Sequence, residues 1–580
     1  MEGWIEIGII KKAPALLRHH DRAHAEFLTA LTFLGTALLL RLPALLYSVI
    51  NFDESLYLLI GKQLTEGILP FTSLCDRKPF GLFALFGLFA AMPFDAIIAS
   101  RLGASITVGL TAYMLHRIAG LLFDDEDRLI GPAAGLAYVV FSLANGGMAS
   151  NSEVFLSTFT VLGLLLALLA VRGAERPRLG LMLAAGLVFG LGVQVKQTIL
   201  FDMLAFLVGF YLLTTVRLAD LGPHLRATAP SLAALAAVSA LPTIAVIVLY
   251  VVTGHWSDWA MANLAAQRGF VDDPGQPLAF NAAFWAMAEQ APLWFGTLLT
   301  ALLSRWLVHD GREARAVSFL LVWVAVILLL QFFLRIAADH YFLQLLPPFC
   351  LLNGLLLGRG LFANITGRRT RAKLLAAIGA LTLFGVSKNQ LVNTAYVLRD
   401  RILHGEAWAA DTPRRIAADL KPLLRPGDAI YEVGFLSIIY HLTDAEIPTR
   451  FAFTGLPHVS YPGRDGCPWV PQEIEMRRVL DTRPRFIVVE QGVFYAELDP
   501  KVRAILDERL ARDYRLRWRY DMHWIHRLYP FERFVLNAAA GAEVHELIEP
   551  AGRPVASASA PPSAERRGYV VSDHAERDLR

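Results

Sequence analysis

A polytopic α-helical membrane protein with a small α/β domain at its C-terminal end is the fold this sequence predicts. Three observations predict it. The 580-residue chain is 55% hydrophobic and 18% charged, where soluble chains carry about 25% charge. Its apolar residues come in repeated runs of the length that crosses ~30 Å of hydrocarbon as a helix. Beyond residue 393 the pattern changes to short apolar strands set among amphipathic helices.

The spans fall at 26–48, 96–116, 130–146, 154–171, 179–195, 199–216, 230–252, 292–308, 317–334, 341–358 and 374–392, eleven in all. The first is retained, because it contains Arg41 and lacks a small-x-small cleavage site. One further apolar stretch, 80–93, is short for a crossing and suits an interfacial segment.

Charge placement decides whether 80–93 crosses. With it left out, the loops on the N-terminal side hold Lys11, Lys12, Arg18, Arg22, Arg117, Arg128, Arg172, Arg176, Arg178, Arg217 and Arg226. They continue with Arg305, Arg312, Arg315, Arg359, Arg368, Arg369, Arg371 and Lys373, which makes nineteen. The opposite side holds six: Lys62, Arg77, Lys78, Lys196, Arg268 and Arg335. Basic loops stay in the cytoplasm, so the N-terminus is inside and 80–93 lies along the outer interface. The expected domains are a cytoplasmic segment 1–25, a membrane domain 26–392 with its first outer loop at 49–95, an outer α/β domain 393–530, and a tail 531–580. The tail is Ala-, Ser- and Pro-rich and disordered after 550.

Within the outer domain, "DAIYEVG" (428–434) and "PRFIVVEQ" (484–491) have the pattern of buried strands. "RRIAADLKPLL" (414–424) and "KVRAILDERLARDY" (501–514) have that of helices, and 515–529 alternates like a strand. The three cysteines, Cys75, Cys350 and Cys467, have neither metal spacing nor a disulfide framework. Free thiols are the default, although Cys75 and Cys467 share a side and could pair. A net charge of +3 gives no ground for a nucleic-acid partner.

The orientation gathers polar groups at the outer helix ends. Asp53 and Glu54 in "NFDES" follow the first span, and an acid there could take a proton from a hydroxyl; a hydrated stop signal explains them equally well. Asp76, Arg77 and Lys78 in "CDRKP" suit a phosphate, or lipid headgroups. Glu153 in "NSEVF" sits at the mouth of a span, where Asn151 or Ser152 could serve as a plain helix cap. Lys196 ends "GLGVQVKQT" as either an anchor or a second phosphate contact. Arg335, His340 and Tyr341 open the "RIAADHYFLQLLPP" segment. No His, Cys and Asp cluster has metal spacing, and no Gly-rich phosphate loop is present.

"DESLYLLIGKQLTEGILPFTSLCDRKP" resembles the first outer loop of the GT-C glycosyltransferases that use polyprenyl-phosphate sugars, through D-E-x₂-Y, G-x₂-L-x₂-G-x₂-P and D-x-K-P. These include the protein O-mannosyltransferases and the lipid A aminoarabinose transferase. "NSEVFLSTF", "GLGVQVKQT" and "DHYFLQLLPP" are similar to later family segments. The resemblance implies a sugar transfer with inversion to a lipid, glycan or protein acceptor at the outer face of a bacterial inner membrane. It implies Asp53 as acid/base, Glu153 as the second acid, and Lys78 and Lys196 on the donor phosphate. The candidate site around them adds Glu54 as a further acid, Arg77 and Arg335 for the phosphate, and Tyr57, Asp76, His340 and Tyr341 as lining residues. No organic cofactor is implied, and a divalent metal is left open. The chain departs from the family's frequent K-P-P in having Lys78-Pro79-Phe80, and from its frequent Asp in having Glu153. A lipid-linked sugar flippase and a non-catalytic polyprenyl-lipid-binding homologue are the competing alternatives.

Overall fold

The computed structural model describes residues 6–123, 129–172, 177–214, 221–266, 280–333, 338–362, 411–452, 470–492, 498–521 and 541–548. It also describes scattered positions between 367 and 405, Cys467 and 495–496. The membrane part runs α1 (Glu6–Arg41), α2 (Phe52–Thr65), α3 (Phe80–Ala90), α4 (Ala96–Leu122), α5 (Ile130–Phe141), α6 (Ser152–Val171) and α7 (Leu179–Val195). It continues with α8 (Ile199–Thr214), α9 (Leu221–Val252), α10 (Trp256–Ala260), α11 (Phe280–Glu289), α12 (Ala291–Leu307), α13 (Gly311–Phe333) and α14 (Leu346–Leu355).

Five described stretches are long and apolar enough to cross a membrane: 24–46, 96–122, 152–171, 222–252 and 340–361. The expected spans at 130–146, 179–195 and 199–216 form apolar helices α5, α7 and α8 of 12, 17 and 16 residues. Most of the span expected at 374–392 lies outside the described residues, as does Arg335. The 340–361 stretch changes pitch as it goes. It begins as a 3-10 turn (Asp339–Leu345), becomes α14, and ends as a π-helix (Leu356–Phe362). Pro347 and Pro348 sit in the first turn of α14, where a missing N–H costs nothing.

Helix α3 is 11 residues long, about 16 Å at 1.5 Å per residue, and too short for ~30 Å of hydrocarbon. It lies against α2 at Gly61, where an added Cβ would come within 2.7 Å of the backbone at Phe86 and Gly87. Hydrogen in place of a methyl is what lets the two backbones meet. Phe83 and Phe86 are buried in that contact, while Leu88 on the other side is 63% exposed.

The C-terminal domain is a four-stranded sheet in the order β1-β2-β4-β3. Strands β1 (Ile430–Val433) and β2 (Phe486–Glu490) are parallel; β4 (Gly541–Leu547) is antiparallel to β2 and to β3 (Tyr514–Asp521). Helices α15 (Thr412–Leu420), α16 (Ile438–Thr443), α17 (Gln472–Asp481) and α18 (Pro500–Asp513) complete it. One expectation is corrected here. Residues 541–547 lie in the stretch expected to be tail, yet they form an inner strand of the sheet. The strand expected at 515–529 is described as far as Asp521.

This domain docks on the loop between α1 and α4. The backbone N–H and hydroxyl of Ser48 donate to the Asp411 carboxylate at 2.8 and 2.6 Å. Arg450 donates to the Phe71 carbonyl at 2.8 Å, and the Cys75 N–H donates to the Arg450 carbonyl at 2.8 Å. Lys62 pairs with Asp444, and the ring of Phe435 lies 5.1 Å from that of Phe52. Cys75 and Cys467 are joined as a disulfide rather than left as free thiols.

Near the C-terminal ends of β1 and β2 lie two buried carboxyls, Glu432 and Glu490. Both flank Gly434, where a Cβ would fall 2.5 Å from Glu490 Oε2 and 2.7 Å from Glu432 Oε1. Burial, then the neighbouring Glu490, pushes Glu432 well above the carboxylate range. Burial pushes Glu490 from 4.5 up to about 7, against the Phe435 N–H that it accepts at 2.9 Å. A raised folded-state value means that the folded domain holds a proton the unfolded chain has lost. Stability therefore falls as pH rises from 4.5 to 7, by about 3 kcal/mol in total for Glu490. Glu490→Gln should be more stable than wild type by that order at pH 8 and equal to it near pH 4.5. Amide exchange in β1 and β2 at the two pH values measures this, and an advantage that does not vary with pH would refute it.

Candidate active site

The site starts from how α2 begins. Asn51 caps the helix, its side-chain oxygen accepting the Asp53 N–H at 3.0 Å. Glu54 completes the capping box by accepting the N–H groups of Asn51 at 3.2 Å and Ile50 at 2.6 Å. The same carboxylate pairs with Arg101 of α4 and accepts the Ser150 N–H at 2.9 Å. Glu54 is 1% exposed, and its oxygens are occupied by these structural contacts. Successive helical residues point about 100° apart, so the carboxylate of Asp53 faces elsewhere.

Asp53 Oδ2 accepts the Tyr57 hydroxyl at 3.0 Å and lies 3.3 Å from Lys78 Nζ. His340 Nε2, on the 3-10 turn before α14, is 3.8 Å from Asp53 Oδ2 and 3.8 Å from Glu153 Oε1. Glu153, in the first turn of α6, pairs with Lys196 at the end of α7 and accepts the Ser152 hydroxyl at 3.0 Å. Lys196 Nζ sits 3.7 Å from the centre of the Tyr341 ring. The side chains form a row in which the His340 imidazole stands between two cation–carboxylate pairs: Lys78, Asp53, His340, Glu153, Lys196. Five separate segments supply it.

Lys78 is held by the turn before α3. Asp76 Oδ1 accepts the N–H groups of Arg77 at 2.5 Å and Lys78 at 3.0 Å, which fixes the turn without using the Lys78 ammonium. Tyr57 packs edge-on against Phe83 and Phe86, 5.2 Å from Lys78 Nζ, and so keeps its hydroxyl on Asp53. Arg77 is half-buried beside the row. Burial works to raise Asp53, but Lys78, then His340 and Lys196, hold it well below the usual carboxylate range. Burial works to lower Lys78, and Asp53, Tyr57 and Asp76 outweigh it and hold the ammonium well above its ordinary value. Both groups are charged at neutral pH. Asp53 retains 28% side-chain exposure and Lys78 10%, so the pair is open at one edge.

The matching sequence family covers part of this row. Residues 77–243 match the model of the dolichyl-phosphate-mannose-protein mannosyltransferase family, a range containing Arg77, Lys78, Glu153 and Lys196. The fold aligns with the crystal structure of ArnT from Cupriavidus metallidurans bound to undecaprenyl phosphate, over 89% of this chain and 97% of that one, with a TM-score of 0.50 at 13% identity. This chain is similar to the GT-C glycosyltransferases and has their fold. The apo state of the same ArnT aligns over the same shares with a TM-score of 0.48 at 15% identity. Archaeal oligosaccharyltransferase AglB from Archaeoglobus fulgidus, in complex with an inhibitory peptide and a dolichol-phosphate, aligns over 86% of this chain and 73% of that one (TM-score 0.46, 13% identity). No curated protein matches the sequence significantly.

In this GT-C fold the expected site residues sort by position. Asp53, Tyr57, Lys78, Glu153, Lys196, His340 and Tyr341 come together; Asp76 supports the Lys78 turn; Glu54 turns away; Arg335 lies outside the described residues. Sequence reasoning missed Arg101, which also donates to the Ala44 carbonyl at 3.0 Å. It missed Arg41 as well, whose guanidinium donates to the carbonyls of Ser142, Met148 and Ala149. A signal existed. A cation within an apolar span requires a buried partner, which marks Arg41 and Arg101 without saying which acid each one meets. Among the described residues no group of three or more His, Cys, Asp or Glu side chains is placed to hold a metal ion.

Proposed function

We propose that this chain is an inverting glycosyltransferase that moves a sugar from a polyprenyl-phosphate donor to a hydroxyl-bearing acceptor at the outer face of a bacterial inner membrane. The observation that carries it is the half-open Asp53–Lys78 pair, a carboxylate and an ammonium 3.3 Å apart at a helix end. The ArnT structure that shares this fold holds undecaprenyl phosphate, which supports a polyprenyl phosphate as the leaving group here.

In the resting site Lys78 makes Asp53 a weak base. A donor phosphate that draws Lys78 away removes the main cause of that weakness. Asp53 then takes the acceptor's proton as its oxygen bonds to the sugar carbon from the face opposite the phosphate. The carbon–phosphate oxygen bond breaks, and polyprenyl phosphate leaves with the electron pair. Lys78 and Lys196, with Arg77 beside them, stabilise the charge that develops there. Glu153 holds Lys196, and His340 bridges the two acids. An acceptor that is itself a phosphate needs no base, and Asp53 would then orient it.

The excess of basic residues in the loops on the N-terminal side supports an outer location, and two further features favour it. The C-terminal domain docks at the same end of the bundle as the site, and its link to that loop is a disulfide. Such bonds persist in the periplasm and are rare in the cytosol.

The test uses purified full-length protein in liposomes, supplied with a bacterial lipid extract containing polyprenyl-phosphate sugars and acceptors. Free polyprenyl phosphate and glycosylated product, followed by mass spectrometry, should appear together. If neither appears while labelled donor crosses the bilayer, the protein is a flippase and the transferase proposal fails.

A further inference from the structure

Asp202 stands in the interior of the bundle, on α8, 2% exposed. Its carboxylate accepts the Trp323 indole N–H at 2.7 Å, the Gln344 amide at 2.6 Å and the Thr160 hydroxyl at 3.4 Å. These three donors are neutral. An ionisable side chain at such depth is costly, and its place in the fold asks for a reason. Gln344 supplies one. Its amide nitrogen also donates to the Thr198 carbonyl at 2.9 Å, so both of its N–H groups are engaged. One amide thereby joins the 3-10 turn that carries His340 and Tyr341 to the turn that carries Lys196.

We propose that Gln344, anchored by Asp202, is a positioning residue that holds the Lys196 turn and the His340–Tyr341 turn in register. Neither residue touches the row of charges. Each acts on the two segments from which that row projects. Lys196 Nζ lies 3.7 Å from the Tyr341 ring centre and His340 Nε2 lies 3.8 Å from Glu153; the first spacing depends on the register of the two turns, and the second on the place of the His340 turn alone. A carboxyl group suits the anchor because its two oxygens offer enough acceptor positions for all three donors at once. Trp323 holds the same carboxylate from α13, a helix that contributes no member of the row. Its bond steadies Asp202 without linking the two turns.

This inference rests on the transferase reading for its rate measurement and not for its structural one. Gln344→Leu and Trp323→Phe each remove one bond to Asp202, and only the first also cuts the tie between the turns. In full-length protein, Gln344→Leu should slow polyprenyl phosphate release by about 30- to 100-fold, the scale of an ångström-sized misplacement. It should also speed amide exchange at 196–199 and 339–345. Trp323→Phe should stay within about threefold of wild type in rate and leave exchange at both turns unchanged, whatever its effect on melting. Equal losses of rate in the two variants would reduce Asp202 to bundle packing and overturn the proposal, as would a near-normal rate in Gln344→Leu. If wild type releases no polyprenyl phosphate, the transferase reading has failed, and the exchange pattern still decides whether the tie exists.

Discussion

Asp53→Asn should lower the rate of sugar transfer by about 10³-fold, within the 10²- to 10⁴-fold range of general-base catalysis, while leaving polyprenyl phosphate binding intact or tighter. The substitution preserves shape, and its side-chain oxygen can still accept the Tyr57 hydroxyl that now bonds Asp53 at 3.0 Å. What it removes is the negative charge 3.3 Å from Lys78. Two consequences run in opposite directions. The acceptor loses its base, and the ammonium loses the carboxylate that competes with the donor phosphate. Single-turnover release of polyprenyl phosphate measures the first, and titration with polyprenyl phosphate alone measures the second. A variant within tenfold of the wild-type rate would remove Asp53 from the chemistry. Slow release accompanied by weak binding would make it a residue of donor recognition instead.

Arg101→Met should cost about 3–5 kcal/mol, the penalty for leaving one member of a buried ion pair without the other. Glu54 is 1% exposed and Arg101 is equally enclosed. Around the pair meet the start of α2, the Ala44 carbonyl and the Ser150 N–H. A loss of that size is a large part of the 5–15 kcal/mol that holds a typical domain, so the folded yield in detergent should collapse. Adding Glu54→Gln removes the stranded charge and should recover at least half of the loss. Folded yield and melting of the two single variants and the double variant measure the coupling. If the losses simply add, Glu54 and Arg101 do not act as a pair, and Glu54 becomes available for a role in the site.

These two predictions concern adjacent residues, and the sequence could not tell them apart. Hydropathy and charge asymmetry mark where helices end, so the polar ends at Asp53, Lys78, Glu153 and Lys196 were legible. Which member of the Asp53–Glu54 dipeptide is free depends on the rotation of α2. That rotation is set by the cap at Asn51 and by Arg101 some 47 residues away. Strand β4 was illegible for a similar reason. "GAEVHEL" is short and precedes a long Ala-, Ser- and Pro-rich stretch, and only pairing with β2 and β3 makes it a strand. The link between Cys75 and Cys467 spans 392 residues and has no local signature. The shortness of α3, by contrast, followed directly from counting apolar residues.

The docking of the C-terminal domain bears on the order in which the protein is made. Every side chain of the row, from Asp53 to His340, leaves the ribosome before Arg450 and Cys467, which fasten the loop bearing Lys78. A nascent chain therefore carries all of its reactive groups through insertion without the clamp that sets their spacing. With the C-terminal domain on the outer face, as proposed, the clamp would close only after that domain had crossed the bilayer and met an oxidant. Completion of the site would then be tied to export of the chain's far end, and a product truncated before Cys467 would hold the loop bearing Lys78 without its disulfide.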